Sequence, residues 1–300
     1  MPDRKLVVLS LLTSRQEFQK QQEVEARAAA SRAGLDVEVV YVENDPVRQI
    51  AQLEDYLKRA PGERPAAFVV EAVATVGFEK IARSAVAARV GWVIVSARAP
   101  YLETLRRDFP GALVSSASVD DLEIGRIQGR QLKALLPRGG QVLQVEGPSA
   151  SAATVLRRRM TDQELKESRV VVAHAIAGDW TTEGAEWAVS SWLSENRDAR
   201  FDAVCAQNDE MALGARTALR NHRPDWVGPF TGCDGLPEGG QRMVREGLLA
   251  ATVVKPPTGG AGVQLVAAAL RGEAVPPHVV LPPRSVPDLE ALGARAPEAR

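Results

Sequence analysis

Short runs of β-branched and other apolar residues alternate along most of the chain with longer, alanine-rich segments of helical periodicity. In the first part the apolar runs fall at 6–12, 37–42, 66–70, 92–95 and 112–119. Helical segments lie between and after them at 17–32, 46–59, 76–89 and 120–136. Gly34 and Gly91 follow two of these segments, where a left-handed helix stop is expected. After Pro137 and the Gly139-Gly140 pair the theme restarts, with strands expected at 141–145, 170–176, 203–205, 227–232 and 249–254. Helices fit between them at 152–166, 182–195, 209–221 and 260–270. Strands that are continuously apolar, in strand–helix units of about thirty residues, imply parallel sheets covered by helices on both faces. Two successive sets predict an α/β fold of two doubly wound parallel-sheet lobes. Beyond Arg271 the prolines cluster at Pro276-Pro277 and Pro282-Pro283, which predicts a short strand and an extended closing segment, with 288–300 frayed.

Length supports two lobes, because 300 residues exceed what one core usually fills, roughly 250–300. A chain that is 45% hydrophobic and 25% charged is not disordered as a whole. A net charge of −1 removes the electrostatic argument for nucleic acid or an anionic membrane as the main partner. Two cysteines, Cys205 and Cys233, make no disulfide framework, and the scattered His174, His222 and His278 form no metal-ligand spacing. They read as surface or strand-end histidines, so neither a metal nor a cofactor is expected. The basic 1–5 and apolar 6–12 imitate a short signal peptide, but polar residues follow instead of a small-residue cleavage site. A buried first strand is the better reading. No run approaches the ~20 apolar residues of a membrane span. The expected compartment is cytoplasmic if the chain is full length, and periplasmic or cell envelope if it is a trimmed mature form.

In open parallel sheets, ligands bind beyond the carboxyl ends of the strands. Residues just past the predicted strands are Thr13, Ser14 and Gln16, then Glu71, then Ser96 and Arg98 in the first set. In the second set they are Glu146, Asp179-Trp180, Asn208-Asp209 and Cys233-Asp234. Planar donors and acceptors with an aromatic among them suit a polyhydroxylated ring, which needs partners for its hydroxyls and a flat face for its C–H side. No GxGxxG follows a strand, and neither GxxxxGK[ST] nor GxSxG occurs. No named acid is paired with a named base, and the chain reads as non-enzymatic.

The run Ala206-Gln207-Asn208-Asp209-Glu210-Met211-Ala212-Leu213-Gly214-Ala215 resembles the signature of the ribose-type sugar-binding proteins of the type I periplasmic-binding-protein superfamily. Asp120-Asp121 with Gly125, Ser151-Ala152-Ala153 before Arg157, Cys233-Asp234-Gly235 and Leu249-Ala250-Ala251-Thr252 fall at that family's spacing. The resemblance covers about residues 5–285. It implies two similar lobes joined by three crossover strands, with a sugar-like ligand held between them. The lobes are expected at 1–114 plus 255–278 and at 115–254 plus 279–300.

The resemblance makes Asn208 and Asp234 hydrogen-bond partners of ligand hydroxyls, with Trp180 and Phe18 as rings against the sugar. Ser14 and Gln16 stand in the first loop, where Gln16 takes the usual Asn position after an apparent two-residue insertion. Departures bear on ligand identity. The family's Asp-Arg pair after the fourth strand is Ser96-Ala97 here, with Arg98 one step late. Val155 stands for a ligand-contacting arginine, and Lys255 for an amide at the hinge. Arg98 and Lys255 in the site would select an acidic or strongly polar ligand; Lys255 as a solvated hinge residue would not. Asn208 also reads as a helix N-cap and Asp234 as a turn residue. Trp180 also reads as lobe packing, Phe18 as the buried start of a helix, and Arg157-Arg158-Arg159 as a solvated helix face.

The resemblance implies a solute-binding protein that closes on a sugar, sugar acid or polyol and hands it to the membrane permease of an ABC transporter. The alternative is a cytosolic sensor, the effector domain of a LacI-type regulator without its DNA-binding headpiece, acting on a sensor partner. An α/β enzyme with a novel site is a third class.

Overall fold

A computed structural model describes residues 4–74 and 76–294. The first half runs β1 (Leu6–Leu11), α1 (Glu17–Ala33), β2 (Asp36–Tyr41), α2 (Pro46–Lys58), β3 (Ala67–Val70), α3 (Glu79–Ala87), β4 (Gly91–Val95), α4 (Tyr101–Asp108) and β5 (Val114–Val119). It continues with α5 (Asp121–Leu135), β6 (Gly140–Glu146), α6 (Ala152–Leu165), β7 (Val170–Ala177), α7 (Thr182–Glu195), β8 (Ala203–Ala206) and α8 (Asp209–His222). The last part is β9 (Phe230–Asp234), α9 (Gly240–Arg245), β10 (Ala251–Val254), α10 (Gly259–Leu270), β11 (Val279–Leu281), β12 (Arg284–Val286) and α11 (Leu289–Gly293).

Contacts divide the chain into Met1–Val119 with Pro257–Leu281, and Asp120–Pro256 with Pro282–Arg300. The chain therefore passes between units three times. These boundaries fall later than 114/115, 254/255 and 278/279, because all of β5 and then β11 pair within the first sheet. Lys255 accordingly belongs to the second unit.

The first unit holds a parallel sheet in the order β11-β5-β4-β3-β1-β2. Pleating sends Val7, Leu9 and Leu11 to one face, where they meet Ala26, Ala29 and Ala30 of α1 and Val263 and Val266 of α10. Val8, Phe68, Trp92 and Ile94 point to the other face, against Leu53 of α2, Ile81 of α3 and Leu105 of α4. The second unit repeats the order as β12-β10-β9-β8-β6-β7, with only β12 antiparallel. Central strands are largely buried, whereas edge strand β2 has only half-buried and exposed positions and edge strand β7 alternates exposed residues with buried or half-buried ones. In both orders the sheet reverses direction between its first and third strands, which opens a crevice at their carboxyl ends.

Four local readings need correction. Helices α4 and α9 were not expected; α4 buries only Leu102 and Leu105 and is otherwise polar or charged, so its apolar signal is thin. Gly34 is the left-handed stop of α1, at φ 69°. Gly91 is not such a stop: Arg89 takes the left-handed turn, at φ 62°, and Gly91 opens β4. A Cβ at Gly91 would press on Leu113 and Ala67. The tail expected to fray contains α11, which packs on α5 and buries Leu292; residues 295–300 lie outside the described residues.

Candidate functional site

In the first unit the loop after β1 is organised by Glu43. Its carboxylate accepts from Thr13 Oγ1 at 2.7 Å and from both the backbone N–H and hydroxyl of Ser14, at 3.3 and 3.2 Å. Those hydrogen bonds, joined by the charge of Arg15, hold the Glu43 carboxyl below the usual range. Ser14 is thus exposed but already engaged. Gln16 is the N-cap of α1 by backbone geometry, with no side-chain cap bond, and Phe18 is buried in the helix's first turn.

Past β3 and β4 lies a buried polar knot. Gln22 Nε2 donates to Ser96 Oγ at 2.7 Å, Glu71 Oε2 at 3.0 Å and Thr258 Oγ1 at 3.4 Å, while its Oε1 caps the start of α10 at Gly259 N, 2.6 Å. Ser96 also donates its backbone N–H to Thr258 Oγ1 at 3.0 Å. Arg98 is exposed, and its nearest effect is electrostatic: with burial and with Arg106 it pushes His278 below its usual pKa. That histidine sits between the hydroxyls of Ser116 and Ser118, at 2.8 and 3.3 Å.

In the second unit Asn208 caps α8, its Oδ1 accepting from Met211 N at 2.9 Å. Its Nδ2 donates to Trp180 O at 3.0 Å, so the two predicted residues are tied together. The Trp180 ring lies on the backbone at Gly147, where any Cβ would overlap it. Beneath the ring, at 5.7 Å, is the guanidinium of Arg157. Arg157 is 2% exposed, with Nε on Asp121 at 2.9 Å and Nη1 on Gln207 O at 2.6 Å. Burial opposes its charge, but the neighbouring Cys233, Asp121 and Asp234 outweigh that and hold its pKa above the ordinary value. The expectation of a solvated face for Arg157-Arg158-Arg159 is therefore overturned, because α6 turns Thr154, Arg157, Met160 and Thr161 inward together. Arg158 pairs with Glu146 at 2.5 Å, and only Arg159 is exposed.

Asp234 ends β9, and its carbonyl accepts from Lys255 N at 3.0 Å. Next to it, Asp209 is buried in a cradle of Gly232, Gly235 and Gly240. Asp209 accepts from Thr252 Oγ1 at 2.6 Å and Gly235 N at 2.7 Å. Burial, reinforced by the charge of Asp234, pushes its carboxyl well above the usual range. The buried thiols Cys205 and Cys233 are free, on the adjacent strands β8 and β9.

Strain marks the same places. Among the described residues six non-glycines have positive φ, and three of them are predicted site residues: Ser96 at 65°, Trp180 at 71° and Asp234 at 103°. Each such conformation costs about 1–3 kcal/mol and persists only where the surroundings over-determine it. A groove of about 750 Å³ beside α5 and α6, lined by Lys133, Met160 and Glu164 among others, contains none of these residues.

A family model described as the periplasmic binding protein domain matches residues 7–274. The chain belongs to that family. It is 25% identical over 252 residues to the ribose import binding protein of Salmonella typhimurium, covering 83% of this chain and 79% of that one. Among solved structures, an ABC transporter periplasmic solute binding protein of Actinobacillus succinogenes with bound D-allose superposes at a TM-score of 0.83, with 18% identity over 97% of this chain and all of that one. A solute binding protein of Mycobacterium smegmatis with bound glycerol gives 0.80, with 24% identity over 99% and 98%. These likenesses bear out the two-lobed parallel-sheet reading and the resemblance drawn from the Asn-Asp-Glu-Met run. No helix of the described residues is long and apolar enough to cross a membrane.

Sequence reasoning missed Arg157, Glu43 and the Gln22 knot. Arg157 was detectable in principle, since it shares a helical stripe with Thr154 and Thr161. Nothing local marks Gln22, whose partners Glu71, Ser96 and Thr258 lie 49, 74 and 236 positions away.

Proposed function

We propose that the chain is a non-enzymatic solute-binding protein for a small polyhydroxylated ligand, the component that delivers it to an ABC-type permease. The observation carrying this is the second unit's arrangement of a half-buried Trp180 ring, Asn208 bonded to its carbonyl, and a strained Asp234 on a neighbouring strand end. A ring offers its face to C–H groups, and a carboxylate and an amide serve hydroxyls. From the first unit the reading assigns Phe18, Gln16, Ser14, Ser96 and Arg98, and from the second it adds Lys255, after β10. A ligand with differential affinity for one state of the protein shifts the population towards that state, and a permease reads it. The relatives, named for ribose import and for solute binding, support transport over the sensor alternative.

A thermal-shift and calorimetry panel of D-ribose, D-allose, xylitol and myo-inositol tests this. A true ligand at one hundred times its Kd adds about 2.7 kcal/mol of stability. Trp180→Ala and Asp234→Ala are expected to abolish that gain. Silence across the panel, or binding that survives both substitutions, would refute the reading.

A further inference from the structure

We propose that Glu43 is a positioning residue of the ligand site: its carboxylate clasps the loop after β1 and so fixes where α1 begins and where Gln16 and Phe18 stand. This rests on the solute-binding reading and adds to it a residue that acts without touching the ligand.

Beyond β1 the backbone is pinned at Leu12, whose N–H donates to Gln19 Oε1 at 3.2 Å and whose carbonyl accepts from Asn44 N at 2.8 Å. The next backbone–backbone bonds are those of Gln16 O, which accepts from Gln19 N at 3.1 Å and Lys20 N at 3.2 Å. Among the described residues, Thr13, Ser14 and Arg15 make no backbone–backbone hydrogen bond. Nor does α1 secure its own start, since Gln16 makes no side-chain cap bond. A stretch so thinly tied belongs to the low-stability end of a fold. What holds it is Glu43, which accepts from the Thr13 hydroxyl and from both the N–H and the hydroxyl of Ser14. Thr13 Oγ1 in turn accepts from Arg15 N at 3.3 Å, which carries the tie to the residue before Gln16.

The arm itself stands on a fixed base. Glu43 and Asn44 have φ of 53° and 60°, the one place among the described residues where two successive non-glycines are left-handed. L-residues enter that region at a cost and stay only where the surroundings hold them. Here Val42 N bonds Leu11 O at 3.2 Å on one side, and Asp45 N bonds Val42 O at 3.1 Å on the other. Asp45 then caps α2, its carboxylate accepting from Val47 N at 2.8 Å and Arg48 N at 3.0 Å. Arg15 Nε, 3.7 Å from Glu43, adds little, because its side chain is 84% exposed and solvent screens the pair. The neutral donors of Thr13 and Ser14 therefore carry the clasp. A ligand that meets a loop already in place does not have to order it, and affinity gains by that saving.

Affinity for whichever of D-ribose, D-allose, xylitol and myo-inositol binds is measured by calorimetry on wild type, Glu43→Ala, Glu43→Gln, Thr13→Val and the Thr13→Val, Glu43→Ala double variant. Thr13 is 3% exposed, so its hydroxyl reaches no ligand and acts only through the clasp. Glu43→Ala is expected to lose about tenfold in affinity, as for one or two ordinary hydrogen bonds. Glu43→Gln keeps an acceptor oxygen and recovers part of that loss. Thr13→Val loses about threefold to tenfold, and the double variant no more than Glu43→Ala alone, because both substitutions open the same clasp. If Glu43→Ala does not fold, Glu43→Gln and Thr13→Val carry the test. Unchanged affinity in the Glu43 variants, or losses that add in the double variant, overturns the assignment while leaving the solute-binding reading intact. So does a loss in the Glu43 variants with Thr13→Val binding as wild type, which would make Glu43 a direct ligand contact. Silence of the wild type towards all four probes overturns both.

Discussion

Arg157→Met removes one partner of a buried charge network and so tests the reading of the second unit most directly. The guanidinium is 2% exposed and satisfies Asp121, the Gln207 carbonyl and the underside of Trp180. Breaking a buried pair from one side costs about 3–5 kcal/mol, because the partner is left charged and unpaired. Here the lower end applies, since Asp121 is 15% exposed and stands in the first turn of α5, where the helix dipole favours a negative charge. The expected loss is therefore about 3 kcal/mol. For a unit of about 150 residues that is a melting-point decrease of about 6–12 °C. Differential scanning calorimetry reads the shift, and Arg159→Met, on the exposed side of the same helix, serves as the control with no appreciable shift expected. Asp121→Asn in the Arg157→Met background removes the orphaned charge and recovers part of the loss, a coupling a double-mutant cycle measures. If Arg157→Met melted within about 2 °C of wild type, or no lower than the Arg159 variant, the network would not be holding the unit together.

Gly147→Ala places a methyl group where the Trp180 ring now lies; we expect a blue- or red-shifted tryptophan emission and weakened ligand binding, with an unaltered spectrum as the contrary result. His278 is held below its usual 6.5 by burial and by Arg98 and Arg106. Because the fold prefers the neutral ring, its contribution to stability is complete above pH 6.5 and is lost as pH falls through the lowered value. Urea midpoints measured across roughly pH 5–8 should therefore fall more steeply on the acid side for wild type than for His278→Gln, and identical profiles would count against this.

Much of the fold could be read from the chain because central parallel strands must be apolar on both faces, and 6–11, 67–70 and 91–95 advertise that burial. The unit boundaries could not. Strand β5 carries Ser115, Ser116 and Ser118, all buried, whose hydroxyls are satisfied by His278 and the Pro276 carbonyl from a segment some 160 positions away. The place of β5 in the first sheet is held by pairing with β4 on one side and with the distant β11 on the other, and the second partner has no local signal. Helix α9, six residues long, carries too few apolar positions to announce itself.

At the candidate site the residue types were legible but their prior commitments were not. An amide has two N–H donors and an oxygen with two lone pairs. Asn208 has already given one N–H to Trp180 O and one lone pair to Met211 N, at 6% exposure. At most one donor and one acceptor are left for a ligand, so its larger contribution is to fix the Trp180 loop in its left-handed turn. Ser14 is likewise committed to Glu43, and Ser96 to Gln22 and Thr258. On the proposed reading, Asp234 rather than Asn208 is the second unit's principal acceptor for ligand hydroxyls. A carboxyl acceptor there would favour a ligand rich in donors and poor in negative charge. That runs against the acidic ligand that Arg98 and Lys255 alone would imply, and Arg98 is exposed to solvent, which screens its charge.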